Sequence, residues 1–175
     1  RPIPYVTPPG VVREQIANDN DIVNQNEQSL SLRASGEGLE VGDSRAVFKN
    51  VSLDMRQFNK LKMFLHAEAL PAPTDPTPLQ DDQMAAFIRL GNDFTDNFYE
   101  VQIPLKVSPE TARNPEEIWP EINELDLPID LLTKLKVLAL SADPSEFVDG
   151  ILYRNDVELN PDLASNTNRG PLRIG

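Results

Sequence analysis

Proline sets the first limit on what this chain can fold into. There are 16 prolines in 175 residues, about 9% against a usual 5%, and each fixes φ and removes a backbone donor. They are clustered: four lie between Arg1 and Gly10 (RPIPYVTPPG), and Pro71, Pro73, Pro76 and Pro78 fall between Leu70 and Asp82. That punctuation excludes a helical bundle and points to strands joined by loops. The first cluster predicts an extended arm outside the core, and the second a long loop that cannot join a sheet ladder. Asn18 to Gln28 (NDNDIVNQNEQ) is so rich in Asn and Asp that side-chain bonds to the local backbone favour turns. The arm is therefore drawn through residue 28, with a single domain over 29–175.

Within that domain, period-2 alternation marks the strands. Leu30, Leu32 and Ala34 share one face of Ser29 to Ala34, and Arg45 to Leu53 reads as a second strand. In Leu61 to Ala69 the expected inward set is Leu61, Met63, Leu65 and Ala67, opposite Lys62, Phe64, His66 and Glu68. Phe64 interrupts that polar face, which implies a covering loop or layer. Ala85 to Leu90 and Asn97 to Leu105 form the best hairpin candidate, joined through Gly91, Asn92, Asp93 and Thr95. Tyr99, Val101, Ile103 and Leu105 share its inner face, and the expected common core is Leu61, Met63, Leu65, Val101 and Ile103. Pro109 to Glu121 is a Pro- and Glu-rich loop. Ile129, Leu132, Leu135 and Leu138 then recur at helical spacing behind Asp126 and Asp130, either of which suits a cap. Gly150 to Arg154 and Asp156 to Leu159 read as further strands, and Pro171 to Gly175 as a strand that has only begun. The expected class is mostly β: an antiparallel two-layer β-sandwich, jelly-roll-like, with one short α-helix.

Composition narrows the function more by exclusion than by suggestion. With 39% hydrophobic and 25% charged residues the chain belongs with globular domains, and no apolar run reaches the roughly 20 residues that span a bilayer. A net charge of -12 argues against nucleic acid and anionic membrane surfaces, which need Lys and Arg. No cysteine is present, which removes disulfides, thiolate metal sites and Cys nucleophiles and suits an oxidising compartment. One histidine, His66, leaves no two-His metal site. The chain starts with Arg1 rather than Met and so reads as an excised or processed segment.

The remaining chemistry is sparse. Glu68 and Glu100 are the pair to test for a two-carboxylate hydrolase, although 28 acids make such a pair expected by chance. His66 reads more simply as a strand-face residue bonded to a neighbour than as a base. Asp93 and Asp96 in GNDFTDN have the oxygen chemistry for Ca²⁺, as do Asp19 and Asp21 more weakly, but the spacing is not that of an EF-hand and a solvated Asx turn is favoured. Trp119, the sole tryptophan, offers a sugar-stacking platform, with packing under its loop as the favoured alternative. No P-loop, G-x-S-x-G, H-E-x-x-H or G-x-G-x-x-G occurs. No catalytic residue and no cofactor is expected, and a binding or structural module remains.

Five stretches carry a family resemblance: TPPGVVREQ (Thr7 to Gln15), NQNEQSLSL (Asn24 to Leu32), GDSRAVFKNVSLDMRQFNKLKMFLHAE (Gly42 to Glu68), AFIRLGNDFTDNFYEVQIPL (Ala86 to Leu105) and IWPEINELDLPIDLLTKLK (Ile118 to Lys136). They resemble the SprA/Sov family, very large outer-membrane β-barrels that serve as the translocon of type IX secretion, tied to gliding motility and to export of adhesins and proteases. The resemblance implies a non-catalytic soluble domain of that translocon, truncated at its C-terminal end, where Pro171 to Gly175 is expected to leave an open sheet edge. It implies as partners the rest of the translocon and its associated secretion proteins, without membrane insertion by this segment. An extracellular cap is favoured over a periplasmic place, because large insertions in such barrels are mostly extracellular. A carbohydrate-binding β-sandwich module of a cell-surface protein is the alternative, and glycan binding lost in Trp119→Ala separates the two.

Overall fold

The computed structural model describes residues 3–12, 15–18, 21–24, 29–34, 38–69, 79–93, 95–163 and 172–175. The chain divides into two compact units, Gly10–Asp54 and a larger one formed by Arg1–Pro9 with Met55–Gly175. This differs from the boundary expected at residue 28. The start of the arm belongs to the larger unit because Ile3, only 2% exposed, is an apolar anchor among prolines.

In the smaller unit, β1 (Gln15–Asn18) pairs antiparallel with β2 (Asp21–Asn24), setting Ile16 opposite Val23 and Ala17 opposite Ile22. Regular structure thus enters a stretch that the Asx content assigned to turns. The strands expected at Ser29 to Ala34 and Arg45 to Leu53 are not formed; both segments lie outside any ladder. Leu30, Leu32, Val47, Phe48, Val51 and Leu53 are all exposed. Alternation makes a strand only where a neighbour supplies hydrogen bonds and an apolar face, and among the described residues neither segment has such a neighbour.

The larger unit is organised by a five-stranded antiparallel sheet in the order β4 (Ala85–Gly91), β5 (Phe98–Pro104), β9 (Leu172–Ile174), β8 (Ile151–Arg154), β7 (Phe147–Val148). Its first hairpin is the expected one, β4 (Ala85–Gly91) with β5 (Phe98–Pro104), running in register from Ala85 opposite Pro104 to Gly91 opposite Phe98. Gly91 closes it: a Cβ there would stand 2.2 Å from the Asn97 carbonyl oxygen and 2.7 Å from Phe98 Cα. The second hairpin, β7 (Phe147–Val148) with β8 (Ile151–Arg154), turns on Asp149 and Gly150 at φ 52° and 79°. Positive φ at both positions makes a type I′ turn, for which Asp-Gly is a favoured pair. β9 (Leu172–Ile174) lies between β5 and β8, hydrogen-bonded on both sides. The open edge expected at Pro171 to Gly175 is therefore absent from this strand; the edges are β4 and β7.

The layer against this sheet is only partly a sheet. A two-stranded ribbon, β3 (Lys60–Met63) with β6 (Leu125–Pro128), and helix α2 (Asp130–Ser141) supply it. Leu125, Leu127, Leu131, Leu132 and Leu135 join Val101, Ile103, Leu105 and Leu152 in one buried cluster, with Leu61 and Leu65 packed against it. The antiparallel sheets of the expected sandwich are present, while the helical period of Ile129 to Leu138 fills what a full second sheet would occupy. Four of the five expected core residues pack there. The exception is Met63, 41% exposed where the chain leaves β3. Asp156 to Leu159, expected as a strand, forms helix α3 instead. Asn155 precedes it in extended backbone, its carbonyl accepting from the Glu158 N–H at 3.1 Å and its side-chain amide donating to the Glu158 carboxylate.

Neither aspartate expected to cap α2 does so. Asp130 is its first residue and pairs with Lys134 at 3.1 Å, and Asp126 lies in β6 beside Lys60 at 3.1 Å and Lys62 at 3.4 Å. Burial pushes the Asp126 carboxyl up, but Lys60, by hydrogen bond and charge, and then Lys62 override this and hold it below its usual 3.8. A carboxyl lowered by folding stabilises above its unfolded value and loses that contribution as pH falls through the folded one. Asp126→Asn is therefore expected to lower stability above the usual carboxylate range, with the difference from the parent shrinking as pH falls below 3.8, which urea unfolding across that range checks.

Candidate functional site

The sole tryptophan gathers more of the chemically interesting side chains than any other described residue. Helix α1 (Pro115–Ile118) starts on Asn114, whose side chain accepts from the Glu117 N–H, with Pro115 preset at the first helical position. It delivers Ile118, 2% exposed, into a small cluster with Ile3 and Ala112, and sets Trp119 beside it. The indole Nε1–H donates to the Val6 carbonyl at 2.7 Å. Tyr5, Phe64 and His66 stand edge-on to the Trp119 ring at centroid distances of 6.1, 6.4 and 5.7 Å. The polar face that Phe64 interrupts is thus covered, and the cover is Trp119 and the arm. Three rings pack against the indole and its N–H is spent on the Val6 carbonyl, the arrangement that packing under the loop calls for.

His66, Ser108 and Glu68 meet here in a Ser-His-acid set that the sequence does not bring together. His66 Nδ1 is 2.7 Å from the Ile118 carbonyl oxygen, which only accepts, so Nδ1 carries the proton. The Ser108 hydroxyl, 3.2 Å from that same nitrogen, donates to the same carbonyl at 3.3 Å. The ring nitrogen nearest the hydroxyl is therefore protonated and cannot take its proton, as a serine nucleophile requires. Nε2 faces the Glu68 carboxylate at 3.5 Å. The set is a lock on the Ile118 carbonyl. Ser108 also borders a hollow of about 520 Å³ with Asp81, Val107 and Glu110, but its hydroxyl points away to Ile118.

Glu100 is held apart from Glu68 by partners of its own. Its side chain is fully buried. One oxygen takes Arg89 Nε at 2.8 Å, and the other takes the Arg173 guanidinium and the Gln102 amide at 2.9 Å. Register explains the meeting: Arg89 is opposite Glu100, Glu100 is opposite Arg173, and Arg173 is opposite Tyr153, a single row across β4, β5, β9 and β8. Arg89 also lies over the Phe98 ring at 4.1 Å, a favourable cation–π placement. The carboxylates expected as a pair thus stand in separate structures, Glu100 between its arginines and Glu68 beside His66.

Asp93 is saturated by its own turn. One oxygen accepts from the N–H groups of Thr95, Asp96 and Asn97 at 3.0, 2.7 and 3.0 Å, the other from the Asn97 side chain at 2.7 Å. The Asn97 amide and then these backbone bonds hold its carboxyl well below the usual carboxylate range. Asp96 accepts from the Thr95 hydroxyl at 3.1 Å. This is the Asx turn weighed against calcium. Among the described residues no group of three or more His, Cys, Asp and Glu could hold a metal. Asp19 lies outside the described residues, and Asp21 is placed only as the first residue of β2.

Sequence reasoning missed Asn123. It is fully buried and treats Lys106 as a neighbouring strand would: Oδ1 accepts from Lys106 N at 2.7 Å and Nδ2 donates to Lys106 O at 2.8 Å. No local pattern announces such a bond, because its partner is 17 residues away. Asn123→Ala leaves both backbone groups unpaired and is expected to cost about 1–3 kcal/mol. Asn123→Asp keeps the acceptor but sets a carboxylate oxygen against a carbonyl, so it should not rescue. Urea denaturation of both variants checks this.

A family model, SprA_N, described as motility related/secretion protein, matches residues 1–145. No curated protein matches the chain.

Proposed function

This chain belongs to the SprA_N family of motility related/secretion proteins, and we propose on that premise that it is a non-catalytic domain of a large outer-membrane translocon serving type IX secretion and gliding motility. The observation that carries the reading is the extent of the match, residues 1–145 of 175, which takes in the Trp119 cluster, the first hairpin and α2. The non-catalytic part is supported by the side chains themselves. His66 is committed to a carbonyl, Ser108 to the same carbonyl, and Glu100 to two arginines and an amide. Among the described residues no helix is long and apolar enough to cross a membrane. We place the domain in the cell envelope, as part of an extracellular cap, with the rest of the translocon and its secretion proteins as partners.

The test uses the full-length parent protein in the bacterium that makes it. Leu135→Asp puts a charge into the core and is expected to abolish export of a type IX-dependent reporter and spreading on agar, with outer-membrane levels of the parent followed by immunoblot. Glu68→Gln is expected to leave both activities. Unchanged export and gliding in Leu135→Asp would overturn the secretion role. Turnover of a glycoside or peptide by the purified chain, lost in Glu68→Gln, would overturn the non-catalytic one.

A further inference from the structure

We infer that the Trp119 seat is a docking groove for extended proline-rich peptide, filled in cis by the chain's own arm and able to take a basic proline-rich segment of another polypeptide in its place. The arm is seated as a ligand would be. Ile3 is 2% exposed between Ala112 and Ile118, Val6 packs against the same cluster, and the indole N–H of Trp119 donates to the Val6 carbonyl at 2.7 Å. Ile3 and Val6, three residues apart, both turn onto that cluster. Pro4 and Tyr5 between them stay exposed. An aromatic-lined groove whose donor reads a peptide carbonyl is a general way of holding proline-rich segments, which have little entropy to lose on binding.

Two features make this arm exchangeable rather than part of the framework. It adds no strand to the described sheets. The seat is also braced without it: the Ile118 carbonyl is held by His66 and Ser108, α1 is capped by Asn114, and the Ala112 N–H donates to the Pro109 carbonyl at 2.8 Å. The charge of the occupant follows from the loop that carries Trp119. Glu110, Glu116, Glu117 and Glu121 are answered within Pro109 to Glu121 only by Arg113, so a basic peptide is favoured over an acidic one. This inference does not depend on the secretion reading.

The test uses the whole chain with a specific protease site inserted between Gly10 and Val11, both exposed. As the only tryptophan, Trp119 reports the seat by its emission. Cleavage and dialysis are expected to shift that emission to the red, and the synthetic peptide RPIPYVTPPG to reverse the shift saturably. A scrambled peptide, an Ile3→Asp peptide and an Arg1→Glu peptide should each bind more weakly, the first two by at least tenfold. Uncleaved chain should bind RPIPYVTPPG at least tenfold more weakly than cleaved chain, since a tethered arm competes at about millimolar effective concentration. An arm that stays bound after cleavage, or emission unmoved by the peptide, would overturn the inference. So would loss of the far-UV circular dichroism on cleavage, which would make the arm part of the fold. Dimers exchanging arms would assign the seat to a second copy instead of another polypeptide.

Discussion

Glu100→Ala is expected to destabilise the larger unit by about 3 kcal/mol, the low end of what removing one partner of a buried ion pair costs. The carboxylate is fully buried between Arg89 and Arg173, whose side chains remain 28% and 18% exposed. Without it, two guanidiniums face each other across β5 with no counter-charge, and the Gln102 amide loses its acceptor. Part of that penalty is relieved by water reaching the arginines, which is why the low end applies. The row pins register as well: with β5 held by β4, a slip of one residue between β5 and β9 would carry Arg173 to the opposite face from Glu100. Replacing Arg89, Glu100 and Arg173 together with apolar residues of similar size should recover most of the loss, because well-packed apolar groups often match a buried ion set. Urea unfolding decides the matter. A Glu100→Ala cost under about 1 kcal/mol would mean that the row behaves as an ordinary surface pair.

Leu135→Ala is expected to cost about 2–5 kcal/mol, as transfer of the lost methylenes and the cavity left behind add together. Leu135 is 0% exposed and shares its cluster with Val101, Ile103, Leu127 and Leu152, so sheet, ribbon and helix all border the void. Leu65→Ala, at a half-buried position packed against that cluster, should cost clearly less. Leu140→Ala, on the same helix but 81% exposed, should stay within about 0.5 kcal/mol. The ranking Leu135, Leu65, Leu140 in thermal or urea unfolding is the check. Equal effects at Leu135 and Leu140 would place the helix face wrongly.

Local features of the chain were sufficient for several elements because their causes are local. The β4–β5 hairpin announces itself by alternation on both sides of a Gly-Asn-Asp turn, and Gly91 sits where a side chain would strike Asn97 and Phe98. The periodic leucines of α2 fall on one face whatever they meet. Phe64 on a polar face signalled a cover, and Trp119 with the arm supplies it. The SprA_N family was likewise legible, since long residue runs rather than contacts carry it.

Residue pattern alone told where the first hairpin and α2 lie, what the proline clusters keep out of ladders, and which chemistries the absence of cysteine and the single histidine remove. Tertiary structure alone decided which alternating segments became strands. Ser29 to Ala34 alternates as Leu61 to Ala69 does, yet only the latter includes a strand, because only there does β6 provide a ladder. It decided that Leu172–Ile174 is interior to the sheet, that Glu100 meets arginines 11 and 73 residues away, and that Asn123 completes the backbone pairing of Lys106. Strand pairing and buried polar bonds depend on distant partners, and the free energy of such a contact exists only once both are in place.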